Sequence, residues 1–251
     1  MILTSDAGGV RTLTLNRPDK LNAFNDAQFD ALAEAVLDAG TDDSVKVVVL
    51  TGAGRAFSAG ADLSGERHGD IIRHGFPGCV DVLVDFEKPL LIAVNGLGVG
   101  IGATIVGLAD AAFMAESSRL RCPFSALGLT AEACSTYTFP MLMGRHKASW
   151  FLLSAEWLSA QQCADAGLVA DVFPDEGFLE AVQEKAATLA RLPMSSLRQT
   201  KSLIMAPHRE AMRTAARAEN EGLASLRGGT ANVEAVTAFA EKREPDFSGI
   251  N

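Results

Sequence analysis

Tyrosine is nearly absent from this chain, with one residue beside two tryptophans and thirteen phenylalanines, so its aromatics serve mainly to fill space. Cationic residues are the minority among the charges. Twenty-two Lys and Arg stand against 31 Asp and Glu, a net charge of −9. That balance argues against a nucleic-acid surface, which needs clustered Lys and Arg, while leaving room for a local basic patch that meets a phosphorylated cofactor. Cysteine is sparse too: Cys79, Cys122, Cys134 and Cys163 form no C-x-x-C pair. Neither a disulfide framework nor a zinc site is implied, and reduced, buried thiols in a cytoplasmic protein are expected. No apolar run approaches the ~20 residues needed to span a bilayer, so no membrane span is expected. The opening MILTSDAGGVRTLTLNRP lacks a secretory apolar region, and the closing SGIN is not a peroxisomal address.

What the chain has is apolar substance. Hydrophobic residues make up 48% and charged residues 21% over 251 positions, enough for one large core in a single α/β domain. Residues 1–15 read as two strands around Asp6-Ala7-Gly8-Gly9. Residues 26–39 have a helical apolar period, with Asn25 as N-cap. VKVVVLTG and PLLIAVNG read as buried parallel strands, AAFMAE as a third and 119–123 as a short fourth. A helix is expected near 79–86, after a polar, glycine-interleaved stretch at 64–78 that is expected to move. From residue 147 onward WFLLSAEWLS, SAQQCADAG, EGFLEAVQEKAATLARL, MSSLRQTKSLIM and the run 208–241 read as helices, with LVADVFP the one extended piece. Strand–helix alternation therefore fills 1–190 and a helical layer 191–251.

Two loops stand out, because each follows a buried strand and consists of small residues: Gly52 to Leu63, and Asn95 to Thr104. Small residues let a ligand approach the backbone, and a helix starting there presents free N–H groups. The plain alternative is that these glycines make turns and tight packing. Gly98-x-Gly100-x-x-Ala103 also loosely matches a dinucleotide fingerprint, but Ser118 and Arg119 stand where the ribose-binding acidic residue belongs.

Five segments in order carry a resemblance: LNRPDKLNAFN at 15–25, GAGRAFSAGADL at 52–63, AVNGLGVGIGA at 93–103, LSAQQCADAGLVADV at 158–172 and FAEKREPDF at 239–247. The chain resembles the crotonase superfamily, the enoyl-CoA hydratases and isomerases, from end to end. The resemblance implies a spiral of ββα units with a helical C-terminal layer that builds trimers or paired trimers. It also implies an acyl-CoA thioester as substrate, with no metal or redox cofactor. By the same likeness the backbone N–H groups of Ala61 and Ile101 form an oxyanion hole, although Ile101 replaces the more usual glycine. Lys20, Leu21, Ala23, Ala59, Asp62 and Leu63 match positions along the CoA path. Phe239 and Lys242 match a C-terminal region that reaches a CoA site, often a neighbour's.

Hydration within this family uses two carboxylates. This chain has Thr104 and Phe124 in their places, so ordinary hydratase activity is not expected. The segment CPFSALGLTAEACSTYTFPMLMG at 122–144 is closer to peroxisomal-type enoyl-CoA isomerases, whose single catalytic Glu matches Glu132. Isomerisation of a 3-enoyl-CoA to a 2-enoyl-CoA is the expectation this implies. The alternatives are a non-catalytic acyl-CoA-binding protein, or another reaction of the superfamily such as thioester hydrolysis. Read without the resemblance, Glu132 is a first-turn acid in a helix capped by Thr130. His68, His74, His146 and His208 have no metal-ligand partner at i+4. Ser58 has no adjacent His to activate it. Arg55, Arg67 and Arg73 read as solvated, with CoA phosphates as the alternative partner, and Asp62 and Glu66 as structural or solvated acids.

Overall fold

A computed structural model describes residues 1–62 and 71–250. The chain opens with an antiparallel hairpin, β1 (Ile2–Ala7) and β2 (Val10–Leu15), turned at Gly8 and Gly9, which both have positive φ. A 3-10 turn at Pro18–Lys20 leads to α1 (Asp26–Thr41), where the Asn25 side chain accepts the Gln28 N–H at 2.9 Å. β3 (Val47–Gly52) joins the sheet parallel to β2, and the chain then steps into a second sheet as β4 (Ala56–Ser58). α2 (Gly75–Asp85) returns it to the first sheet. β5 (Leu90–Val94) and β6 (Leu97–Val99) repeat the step, followed by the short α3 (Ile101–Thr104). β7 (Ala111–Ala115) and β8 (Arg119–Arg121) repeat it again, followed by α4 (Ser135–Met143) and α5 (Arg145–Ser154). β9 (Trp157–Ser159), α6 (Ala160–Ala166) and β10 (Asp171–Phe173) close the two sheets. α7 (Phe178–Ala190), α8 (Met194–Met205), α9 (Arg209–Leu226) and α10 (Thr230–Glu241) complete the chain.

The large sheet runs β1-β2-β3-β5-β7-β10 and the small one β4-β6-β8-β9. Alternate strands of each ββ pair enter different sheets, which makes the spiral of ββα units that the resemblance implies. The unbroken apolar runs of β3 and β5 have a direct cause, since both faces are covered. Val48 and Leu50 point into the core shared with α1 and α2, while Val47 and Val49 face α7 through Val182 and Ala186.

Three expectations are corrected. The helix near 79–86 begins earlier, at Gly75, because Asp30 of α1 accepts the N–H groups of His74 and Gly75 and caps it from outside. The run WFLLSAEWLS is not one helix. α5 stops at Ala155, which is left-handed at φ 56°, and Trp157–Ser159 pairs antiparallel with β8. Arg121 Nε holds the Ala155 carbonyl at 2.7 Å, and the Arg119 guanidinium lies 4.2 Å from the Trp157 ring centroid. These are long-range partners that helical periodicity cannot report. The run 208–241 is divided at Gly228 and Gly229 into α9 and α10. No described helix is long and apolar enough to cross a membrane.

Candidate active site

The segment 17–24 shapes the first loop. Leu21 and Asn22 are left-handed, and the buried Asn22 amide donates to the carbonyls of Ala53 and Ala56 while its oxygen accepts the Arg17 N–H. This fold brings Leu21 and Ala23 against the loop: Ala59 N–H donates to Leu21 O, and Ser58 Oγ to Asn22 O. Phe24 then pairs with Ala61 as a parallel bridge, donating to Gly60 O and accepting from Asp62 N–H. In extended backbone successive N–H groups point to opposite sides. The Gly60 and Asp62 groups face Phe24, so the Ala61 N–H faces away from it. Among the described residues nothing accepts that N–H.

The second loop lies against the first. β4 and β6 pair in register Ser58↔Gly98, and Ala61 and Ile101 each lie three residues beyond those positions. The approach is close enough to require glycine. A Cβ on Gly60 (φ 90°) would stand 2.7 Å from Val99 O, and one on Gly102 would stand 2.4 Å from Ser58 O. Gly100, at φ 55°, turns the chain into α3, so Ile101 N–H precedes the first intrahelical bond and also has no acceptor among the described residues. Two unpartnered amides thus stand on adjacent turns, the donor set that an oxyanion needs.

Glu132 enters from the loop between a 3-10 turn at Ser125–Leu127 and α4. Its Oε1 lies 3.2 Å from Thr104 Oγ1, which is also 3.2 Å from the carbonyl of Gly100. Burial pushes the Glu132 carboxyl up to about 8, opposed by the Thr104 hydrogen bond and reinforced by the charge of Glu219. Some of its surface still reaches solvent. At neutral pH the carboxyl is therefore mostly protonated. Thr104 Oγ1 has one proton, which it can give to Glu132 Oε1 or to Gly100 O. The bond to Glu132 favours the ionised carboxylate.

The helix-cap reading of Glu132 does not hold. Glu132 precedes α4, and Thr130 caps nothing. Ala133 and Cys134, at φ 55° and 61°, separate the acid from the helix in a left-handed conformation that costs roughly 1–2 kcal/mol per non-glycine residue. That turn is held from α9. Glu219 Oε2 accepts Cys134 N–H at 2.7 Å, while Oε1 accepts Thr136 N–H at 2.8 Å and Thr136 Oγ1–H at 2.6 Å. Sequence reasoning missed Glu219. Its signal was a glutamate at i+7 on a helical stripe that starts at Met212 and Ala216.

The other candidates disperse. Lys20 is exposed at the end of its 3-10 turn, and Asp62 is bound to Arg17 at 2.8 Å. Leu63, Glu66, Arg67 and His68, with residues 64–70 of the stretch expected to move, lie outside the described residues. Phe239, 70% exposed, and Lys242 sit at the end of α10, which docks through Asn232 onto Leu127 O. Arg73 pairs with Glu34, and His208 Nδ1 meets Tyr137 Oη at 2.8 Å. Ser58 Oγ is spent on Asn22 O and Gly60 N–H. Among the described residues no group of three His, Cys, Asp or Glu side chains is placed to hold a metal. The four thiols are free and buried. A groove of about 360 Å³ between α2 and α9 is lined by Phe76, Val80, Ala133 and Ala216 and opens beside the Glu132 turn. A larger cavity of about 590 Å³, at Gly54, Arg55, Asn95 and Arg119, touches none of Glu132, Ala61 and Ile101.

A family model described as enoyl-CoA hydratase/isomerase matches residues 5–250. Enoyl-CoA delta isomerase 2 of Rattus norvegicus is 39% identical over 220 residues, 83% of this chain and 55% of the relative, so the chain spans about half of that protein's length. The 1,2-epoxyphenylacetyl-CoA isomerase of Escherichia coli (strain K12) is 35% identical over 99% of this chain and 98% of its own. The crystal structure of an enoyl-CoA hydratase/isomerase from Pseudoalteromonas atlantica superposes with a TM-score of 0.92 at 31% identity, covering 98% of this chain and 99% of that one.

Proposed function

Because the chain belongs to the enoyl-CoA hydratase/isomerase family, we propose that it isomerises a 3-enoyl-CoA to a 2-enoyl-CoA, with Glu132 as the proton shuttle. The observation that carries this reading is the Glu132 carboxyl, pushed up to about 8 by desolvation and hydrogen-bonded to the helix that begins at Ile101. Thr104 and Phe124 occupy the two positions where hydration in this family uses carboxylates, and neither side chain can serve as that base.

The thioester oxygen accepts the N–H groups of Ala61 and Ile101. Ionised Glu132 removes a proton from C2, and the electron pair delocalises through the 3,4 double bond onto the thioester oxygen as a dienolate. Glu132 returns the proton to C4, leaving the double bond at C2–C3, with no atom gained or lost. Each amide donor to the developing oxyanion contributes on the order of 3 kcal/mol to the rate. Lys20, Leu21, Ala23, Ala59, Asp62 and Leu63 line the CoA path, and the acyl tail leaves by the groove between α2 and α9. Phe239 and Lys242 complete a CoA site, that of a neighbouring copy, in a trimer or dimer of trimers. The buried free thiols support a cytoplasmic setting.

The test supplies a medium-chain 3-enoyl-CoA and, separately, its 2-enoyl isomer. Conversion of the first to the conjugated thioester, with negligible water addition to the second, is the expected result. Efficient hydration, or acyl-CoA binding without turnover, would overturn the reading.

A further inference from the structure

Resting on Glu132 as the shuttle, we propose that Glu219 is a positioning residue for the same reaction: from α9 it clamps the left-handed turn that carries Glu132 and keeps an unneutralised negative charge facing it.

The geometry carries this. Two successive non-glycine residues, Ala133 and Cys134, hold positive φ directly after the shuttle, and α4 makes no side-chain cap of its own. Glu219, 85 residues away and only 4% exposed, supplies what the turn lacks. Both carboxylate oxygens accept, one from the Cys134 amide and one from the amide and hydroxyl of Thr136. No donor is needed from Glu219, so the ionised form fits the site and an amide side chain would set an N–H against an N–H.

The surrounding charges leave that negative charge in place. On α9 itself, Arg213 is bound to Asp85 and Glu210, and Arg217 to Glu210. Asp81 and Asp85 of α2 add negative charge across the groove. Cys122, just after β8, and Cys134 are held neutral by burial, and Tyr137 of α4 is bound to His208. Two carboxyls therefore share one low-dielectric region with three hydrogen bonds favouring charge on Glu219 and one on Glu132. Burial raises the Glu219 carboxyl as well, opposed by the three hydrogen bonds it accepts from Thr136 and Cys134, while Glu132 is opposed by one alone. A purely structural brace would fix the turn without setting the pH at which the shuttle ionises.

The experiment compares Glu219→Gln and Glu132→Gln with the unaltered protein, reading kcat, the Kd for a saturated acyl-CoA and the pH profile of kcat/KM. For Glu219→Gln the expected result is a kcat lowered on the order of tenfold to a hundredfold by displacement of the shuttle, a Kd within threefold, and an acidic limb moved to lower pH. An unchanged limb, or a kcat loss matched by an equal loss of binding, would reduce Glu219 to a structural brace and overturn the proposal. Turnover that survives Glu132→Gln instead sinks the shuttle reading itself. Should Glu219→Gln not fold, Thr136→Val is read in its place. Lower kcat at unchanged Kd supports the clamp, and unchanged kcat overturns it.

Discussion

Glu132 and Thr104 form a pair whose protons can be followed. The folded-state value of Glu132, about 8, lies above the ordinary 4.5 of a glutamate, so between those values the native state holds a proton that the unfolded chain has released. The stability associated with this group is fully present below about pH 4.5 and is lost as pH rises through 8. Glu132→Gln removes the loss. In denaturant titrations its advantage over the unaltered protein should grow from pH 4.5 to 8 and level above, approaching on the order of 5 kcal/mol. An advantage that does not vary with pH would contradict the burial argument. Thr104→Val removes the hydrogen bond that favours the ionised carboxylate. The acidic limb of kcat/KM should therefore move to higher pH, opposite in sense to the shift expected for Glu219→Gln.

The elements that matter most are turns, and they were legible to different degrees. The two glycine-rich loops were visible because their spacing after buried strands is a local property of the sequence. The contact that joins them was not, since Ser58 O beside Gly102 depends on the parallel pairing of β4 with β6. Gly102→Ala tests that contact. With a Cβ 2.4 Å from a carbonyl oxygen the loops must separate, at a cost of roughly 1–3 kcal/mol in stability. Turnover should fall far more than acyl-CoA binding, because the hole's amides lose their geometry while the CoA path does not. Equal losses in both would show that the loops serve only to bind. The turn at Ala133 and Cys134 was illegible for a related reason. Alanine and cysteine give no local signal for positive φ, and the residue that holds them there is on α9. Trp157–Ser159 was misread because its apolar spacing suits a helix, while its strand pairing with β8 is settled by Arg119 and Arg121.

At the scale of the molecule, the alternation of buried strands with amphipathic helices was enough to anticipate an α/β fold, and the ordered motifs anticipated its spiral. Periodicity could not supply which helices remain bare. In a single copy, Trp150 and Leu153 of α5, Leu203 and Ile204 of α8, and Val233, Val236 and Phe239 of α10 are all more than half exposed. Apolar surface of that extent is expected to be covered by further copies. Sedimentation at micromolar concentration should give a trimer or a dimer of trimers, and a monomer would contradict the placement of Phe239 and Lys242 at a neighbour's CoA. The net charge of −9 suits a protein whose anionic ligand is met by local contacts rather than by a broad positive field.

The most direct measurement is the rate of conversion of a 3-enoyl-CoA to the conjugated 2-enoyl-CoA by the unaltered protein and by Glu132→Gln at pH 8.5, with the Kd for a saturated acyl-CoA measured alongside. The account expects turnover to fall at least on the order of a thousandfold in the variant while the Kd stays within threefold, as befits loss of the proton-transferring group with its binding surface intact. Comparable turnover in the two proteins would contradict it, because a group other than Glu132 would then be carrying the proton from C2 to C4.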